Sequence, residues 1–108
     1  MRIWLDDVRP APDGYIWCHS VDEAKAKIID SENWLNSGLT NLVGFEITII
    51  DCDHDLGDYA ADGGDGIKLL DWLEETGRNY PLRIHSMNPV GRDNMRAVIR
   101  KNGWLEID

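Results

Sequence analysis

The sequence predicts a single α/β domain built on a parallel sheet, and three observations carry that expectation. Strand-like and helix-like segments alternate from the second strand onward, the order that puts helices on the face of a parallel sheet. Separate strands end in aspartates or in hydroxyl and amide residues, and in such sheets ligands bind beyond the carboxyl ends of the strands. The chain has 108 residues, 43% of them hydrophobic, which suits one core and one domain over residues 1–108.

Arg2 to Leu5 reads as a short buried strand ending at Asp6-Asp7. In the following RPAPDG, Pro10 and Pro12 forbid a regular helix and Asp13-Gly14 signals a turn. Tyr15 to His19 is aromatic and β-branched, a second strand. Ser20 then caps a helix, with Glu23 completing a capping box, and Val21, Ala24, Ile28 and Leu35 recur at helical spacing toward the sheet. Asn36 to Asn41, with Gly38, closes it. Phe45 to Ile50 is expected as a central third strand, running into DCDHDLGD. Asp65 is the expected N-cap of a helix over Gly66 to Thr76, with a stripe of Ile67, Leu70 and Leu73 and a stop at Gly77. Leu82 to Met87 is the fourth strand. Asn88 caps a helix that begins at Pro89, buries Met95, Val98 and Ile99, and ends at Gly103. Trp104 to Ile107 is a last short strand. No repeat, linker or low-complexity tail interrupts this order.

The net charge of -9 argues against a duplex nucleic acid partner, which wants a basic face. The longest apolar runs, such as Ile47 to Ile50, are too short to cross a membrane. The N-terminus enters a strand at once, so no secretion signal is expected. Cys18 and Cys52 lie inside strand-like runs and are expected as buried, reduced thiols, which points to the cytoplasm.

Asp6, Asp7, Asp51, Asp53 and Asp55 are expected to gather at one sheet edge, the last three on one side if the strand stays regular. Packed carboxylates repel and lose water, and the usual remedy is a hard cation such as Mg²⁺ or Mn²⁺. The bland alternative is a solvated acidic loop. A calcium loop also fits Asp51, Asp53, Asp55 and Asp62, but its sixth position is Leu56 where glycine is needed. His54 between two carboxylates is either a general acid or base, a metal ligand, or a residue that only fixes the loop. His85 and Ser86 have opposite strand parity, so one of them is expected to face a helix layer. His19 is expected to be structural. Ser86 and Asn88 precede a helix N-terminus that favours an anion, Gly91 allows close approach to the backbone, and Arg92 and Arg9 offer cationic grips on phosphate. Most of the five tryptophans should be core; Trp17 and Trp104 are the candidates to be partly exposed and stack on a base or partner.

LDDVRPAP (Leu5 to Pro12), DHDLG (Asp53 to Gly57), DGIKLLDWL (Asp65 to Leu73) and HSMNPVGRDNM (His85 to Met95) resemble response-regulator receiver domains in outline, and more closely the cyclic-phosphate processing receiver domains. The resemblance covers nearly the whole chain. It implies a compact receiver-like (flavodoxin-like) domain with a five-stranded parallel sheet in the order 2-1-3-4-5, the first and last helices reduced or missing. It implies metal binding by Asp6 and Asp7, a phospho-acceptor position at Asp53, a backbone carbonyl ligand at Asp55 and the hydroxyl position at Ser86. The lysine that receivers carry after the fifth strand is absent, which counts against phosphorelay signalling. The added His54, Asp55, Asn88 and Arg92 suggest a substrate site. The implied function is a metal-dependent phosphoesterase acting on a cyclic phosphate or nucleotide, with Asp53, His54 and Asp55 as the catalytic group. A receiver-derived interaction module and a non-catalytic cyclic-nucleotide binder are the alternatives.

Overall fold

A computed structural model describes residues 1–38, 44 and 46–108. The elements are β1 (Arg2–Leu5), β2 (Tyr15–Cys18), α1 (Val21–Leu35), β3 (Ile49–Cys52), a 3₁₀ turn (Gly57–Ala61), α2 (Ile67–Glu75), β4 (Leu82–Ile84) and α3 (Pro89–Asn102). The strands form one parallel sheet in the order β2-β1-β3-β4.

The fold is the expected receiver-like one, with one strand reduced. In place of a fifth strand, a single parallel bridge joins Glu106 to Leu82 on the free edge of β4. Leu82 N–H donates to Leu105 O at 3.0 Å and Ile107 N–H to Leu82 O at 2.7 Å, so the tail occupies the fifth position without extending along it.

Crossover direction decides which face the helices cover. Right-handed connections that step the same way across a sheet put their helices on the same side. The steps from β2 over β1 to β3, from β3 to β4, and from β4 to the tail all run one way. Accordingly Val21, Ala24 and Ile28 of α1, Leu70 and Leu73 of α2, and Met95 and Ile99 of α3 share one core with Ile3, Leu5, Ile50 and Leu82. The step from β1 to β2 runs the other way, and the proline-rich link cannot form a helix to cover that second face. The link folds over it instead, with Trp4 Nε1 donating to Arg9 O at 2.9 Å. Tyr15 meets Trp4 edge-on, with Arg2 above the Tyr15 ring.

Several boundaries differ from the sequence expectation. β3 is Ile49–Cys52 rather than Phe45 to Ile50, because Asp51 is fully buried inside the ladder by its partners Arg83 and His85. Phe45 and residues 39–41 lie outside the described residues. β4 stops at Ile84 rather than Met87. Asp65 does not cap α2: its carboxylate accepts from Leu56 N–H at 3.1 Å, and α2 begins after Gly66. Ser20 does cap α1, accepting from Glu23 N–H, but the Glu23 carboxylate takes the N–H of His19 instead of closing the box on Ser20. Leu35 is exposed and does not face the sheet. The α3 prediction holds: Asn88 caps it, Pro89 opens it and Gly103, in the left-handed region, ends it.

Cys18 and Cys52 are buried and unpaired. Burial pushes the Cys18 thiol up to about 12, and it pushes Cys52 up as well, so both behave as small apolar residues. Among the described residues, no helix is long and apolar enough to cross a membrane.

Candidate metal and phosphate centre

The carboxyl ends of β1, β3 and β4 meet because Asp6 N–H donates to Cys18 O at 3.1 Å, Asp53 N–H to Leu5 O at 2.8 Å and His85 N–H to Cys52 O at 3.0 Å. These bonds prolong the ladder one residue past each strand and bring the next side chains into one space.

Asp6 is 1% exposed and its carboxylate is fully engaged. Oδ1 accepts from Val8 N–H at 2.9 Å and Arg9 N–H at 2.8 Å, while Oδ2 lies 2.9 Å from His85 Nε2. Burial works to raise its pKa, but the Arg9 and Val8 amides and the His85 ring outweigh it and hold the carboxyl below its ordinary range. The other ring nitrogen of His85, Nδ1, lies 2.6 Å from Asp51 Oδ1, and Asp51 Oδ2 accepts from Arg83 Nη1 at 3.0 Å. Trp4 stacks flat on the His85 ring, centroids 3.9 Å apart and planes 3° from parallel. Both His85 ring nitrogens thus face carboxylate oxygens, which leaves the ring as a brace between Asp51 and Asp6.

Asp53 has the opposite balance. Burial and the nearby Asp6 charge raise its pKa, the amide of His54 and the Ser86 hydroxyl only partly offset them, and the carboxyl lies above its ordinary range. Asp53 Oδ1 accepts from His54 N–H at 2.8 Å. Ser86 is buried, and its Oγ also accepts from Asn88 N–H at 3.1 Å.

One oxygen each of Asp6 and Asp53 and one nitrogen of His85 lie within 4.8 Å of one another. A second group, His54, Asp55 and Asp65, meets the same limit. Asp55 therefore parts from Asp6 and Asp53. Its carboxylate holds His54 Nδ1 at 2.7 Å and Asn88 Nδ2 at 3.2 Å, and these bonds set its pKa below the ordinary range. Regular alternation from Asp51 to Asp55 fails because β3 ends at Cys52. Asp7 lies in neither group. Its Oδ2 reaches across to the loop after β3, where a Cβ on Gly57 would come within 2.6 Å. The calcium-loop alternative does not survive: Asp51, its first position, is fully buried and locked between Arg83 and His85.

The phosphate-side candidates divide. Ser86 stands at the centre, its hydroxyl on Asp53, while the Asn88 side chain joins Asp55 and Gly91. Gly91 N–H is taken by Asn88 Oδ1 at 3.0 Å, so it is no free anion donor. Gly91 serves the His54 ring, with which any Cβ there would collide. Arg92 is half-buried, with Nε buried and unpaired among the described residues. The Arg9 side chain is exposed.

His85 is the participant the sequence reading missed. The parity argument required a strand running through Ser86. With β4 ending at Ile84, alternation stops and both residues reach the centre. The available signal was Asp51, an acid inside an apolar strand that needs a buried partner.

Residues 1–101 match a family model described as the cyclic-phosphate processing receiver domain. No curated protein and no solved structure matches the chain.

Proposed function

The chain belongs to the cyclic-phosphate processing receiver domain family, and from that premise we propose that it is a metal-dependent phosphoesterase that hydrolyses a cyclic phosphate. The observation that carries this reading is the Asp6–Asp53–His85 group, whose polar atoms converge within 4.8 Å around a carboxylate that burial leaves poorly neutralised. The Asp6 and Asp53 carboxylates, completed by water and backbone carbonyls, suit Mg²⁺ or Mn²⁺. A bound Mg²⁺ or Mn²⁺ would polarise a phosphoryl oxygen and lower the pKa of a coordinated water.

The remaining roles fall to the chain itself. Ser86 Oγ and Asn88 Nδ2 would hold non-bridging oxygens, with the Arg92 and Arg9 guanidiniums adding charge as it develops on phosphorus. Asp7, against the loop after β3, would complete the acidic wall. Asp55 holds His54 by Nδ1, which leaves Nε2 to exchange a proton. Water adds to phosphorus, the ring P–O bond breaks, and the proton lost by water is returned to the departing alkoxide, His54 Nε2 serving as carrier. Asp51 and Trp4 fix the His85 ring, and His85 in turn orients Asp6.

A second reading keeps the receiver chemistry, with Asp53 accepting a phosphoryl group, and the Ser86 hydroxyl bonded to Asp53 favours it. A panel of 2′,3′-cyclic nucleotides and cyclic dinucleotides with Mg²⁺ or Mn²⁺ separates the two. We expect turnover of a cyclic phosphate that Asp53→Asn abolishes. An intact panel, or a stable phosphoryl group on Asp53 after acetyl phosphate, would sink the phosphoesterase reading.

A further inference from the structure

The loops that build the acidic centre also carry aromatic rings and exposed apolar side chains that a bare phosphate does not need. Trp17 is half-buried, in register with Trp4 on the sheet face that none of the described helices covers. Its Nε1 donates to Asp6 O at 2.7 Å, fixing the indole to the residue whose carboxylate enters the centre. The His19 ring stacks on Trp17, centroids 4.4 Å apart and planes 25° from parallel. Tyr59 follows at 5.4 Å and 32°. Tyr59 belongs to the 3₁₀ turn just after the acidic run and is 42% exposed. The three rings thus form a short ladder running from Asp6 outward to a ring in solvent.

Exposed apolar side chains also flank residues of the centre in sequence. Val8 is 73% exposed, Met87 77% and Val90 70%. Each adjoins a residue of the centre: the Val8 amide binds the Asp6 carboxylate, Met87 follows Ser86, and Val90 precedes Gly91. Single exposed apolar side chains are ordinary. Three beside residues of one charged centre in sequence, together with an aromatic ladder that ends in water, point to a ligand with an organic body. A phosphoryl group passed between proteins has no such body; a nucleoside phosphate has a flat, polarisable one. Aromatic side chains bind any base through its π face.

We propose that Trp17, His19 and Tyr59 form a base-binding subsite, and that the group processed at the acidic centre is the cyclic phosphate of a nucleoside. This rests on the phosphoesterase reading and names its substrate class. The base extends the ladder at Tyr59 while the phosphate reaches Asp53 and Ser86. A purely structural ladder would explain Trp17 and His19, but it gives no reason for its last ring to stand in solvent.

The test is calorimetry on the full chain with Mn²⁺, at low temperature before product accumulates, comparing adenosine 2′,3′-cyclic phosphate with glycerol 1,2-cyclic phosphate, which lacks a base. The adenosine ligand should bind more tightly. Tyr59→Ala should cut the adenosine-over-glycerol affinity ratio by about tenfold, within the usual worth of a stacked base, and Tyr59→Phe should keep it. Thermal melting checks that Tyr59→Ala folds. If the wild type binds both ligands alike, or Tyr59→Ala leaves the ratio unchanged, the subsite is refuted and the phosphoesterase reading stands. If neither ligand binds, both fall.

Discussion

Asp53 concentrates the conflict between stability and function in one residue. Its pKa is raised in the folded state, chiefly by burial. The folded chain therefore holds this proton to higher pH than the unfolded chain does. Its contribution to stability falls as pH rises from the ordinary carboxylate range through the raised value. Asp53→Asn should raise the melting temperature of the metal-free protein at pH 7 by a few degrees and flatten this part of the pH profile. A melting temperature that falls instead would show that Asp53 is already well neutralised. Asp6 and Asp55 run the other way: their lowered values contribute stability at neutral pH that is lost as pH drops through them. His54→Ala should slow turnover about 10²–10⁴-fold, the usual worth of a proton carrier, with little change in metal affinity. The sequence makes Asp6, Asp53, Ser86 and Asn88 legible because each follows a strand end. It conceals the partition between Asp53 and Asp55, because only three-dimensional geometry shows that the chain turns at His54.

At the scale of elements, the helix that follows the acidic run is held by contact with backbone. Gly66 N–H donates to His54 O at 2.7 Å, and a Cβ on Gly66 would overlap the carbonyl of Asp53. Its φ of -54° is ordinary helix, so glycine is required here by proximity alone. Gly66→Ala should cost about 3 kcal/mol or more, as severe steric conflicts with backbone do, and should weaken metal binding by pushing Asp53 aside. Denaturant unfolding with a metal titration checks both. A second joint ties α1 to the segment before β4. Glu32 accepts from Arg78 Nε and Nη2 and from Tyr80 Oη. The Arg78 bonds, against burial, hold Glu32 below its ordinary range. With both partners partly solvated, Glu32→Gln should cost about 1 kcal/mol. That difference should be full above the ordinary glutamate range and vanish as pH falls through the lowered value. Helices were legible at this scale because caps and apolar stripes are local. The end of the third strand was not, since a buried aspartate inside it is tolerated only through Arg83 on β4 and His85 just beyond it. The fifth was over-read because an apolar tail at a sheet edge can stop at one bridge.

The whole molecule combines a sheet with helices on one face and a strong excess of acid, and the two features meet at the centre. The strand order was legible through the resemblance to receiver domains, and for that order crossover handedness places the helices. The covering of the second face by a link rather than a helix followed from Pro10 and Pro12. What the sequence could not separate is the diffuse effect of a net charge of -9 from the local effect of Asp6 and Asp53. Salt separates them. Diffuse repulsion among surface carboxylates is screened by any ion within a Debye length, about 8–10 Å at physiological strength. NaCl should therefore raise the melting temperature of wild type and Asp53→Asn alike. A cation bound at the centre stabilises by mass action on the folded state, with a concentration dependence set by its affinity. At matched ionic strength, MgCl₂ or MnCl₂ should add a further rise in the wild type, and Asp53→Asn should lose only that increment. Equal responses to NaCl and MgCl₂ or MnCl₂ in the wild type would reduce the acidic centre to a solvated cluster and remove the metal from the proposed chemistry. A divalent increment that survives Asp53→Asn would place the ion elsewhere, with the His54–Asp55–Asp65 group the next site to test by Asp65→Asn.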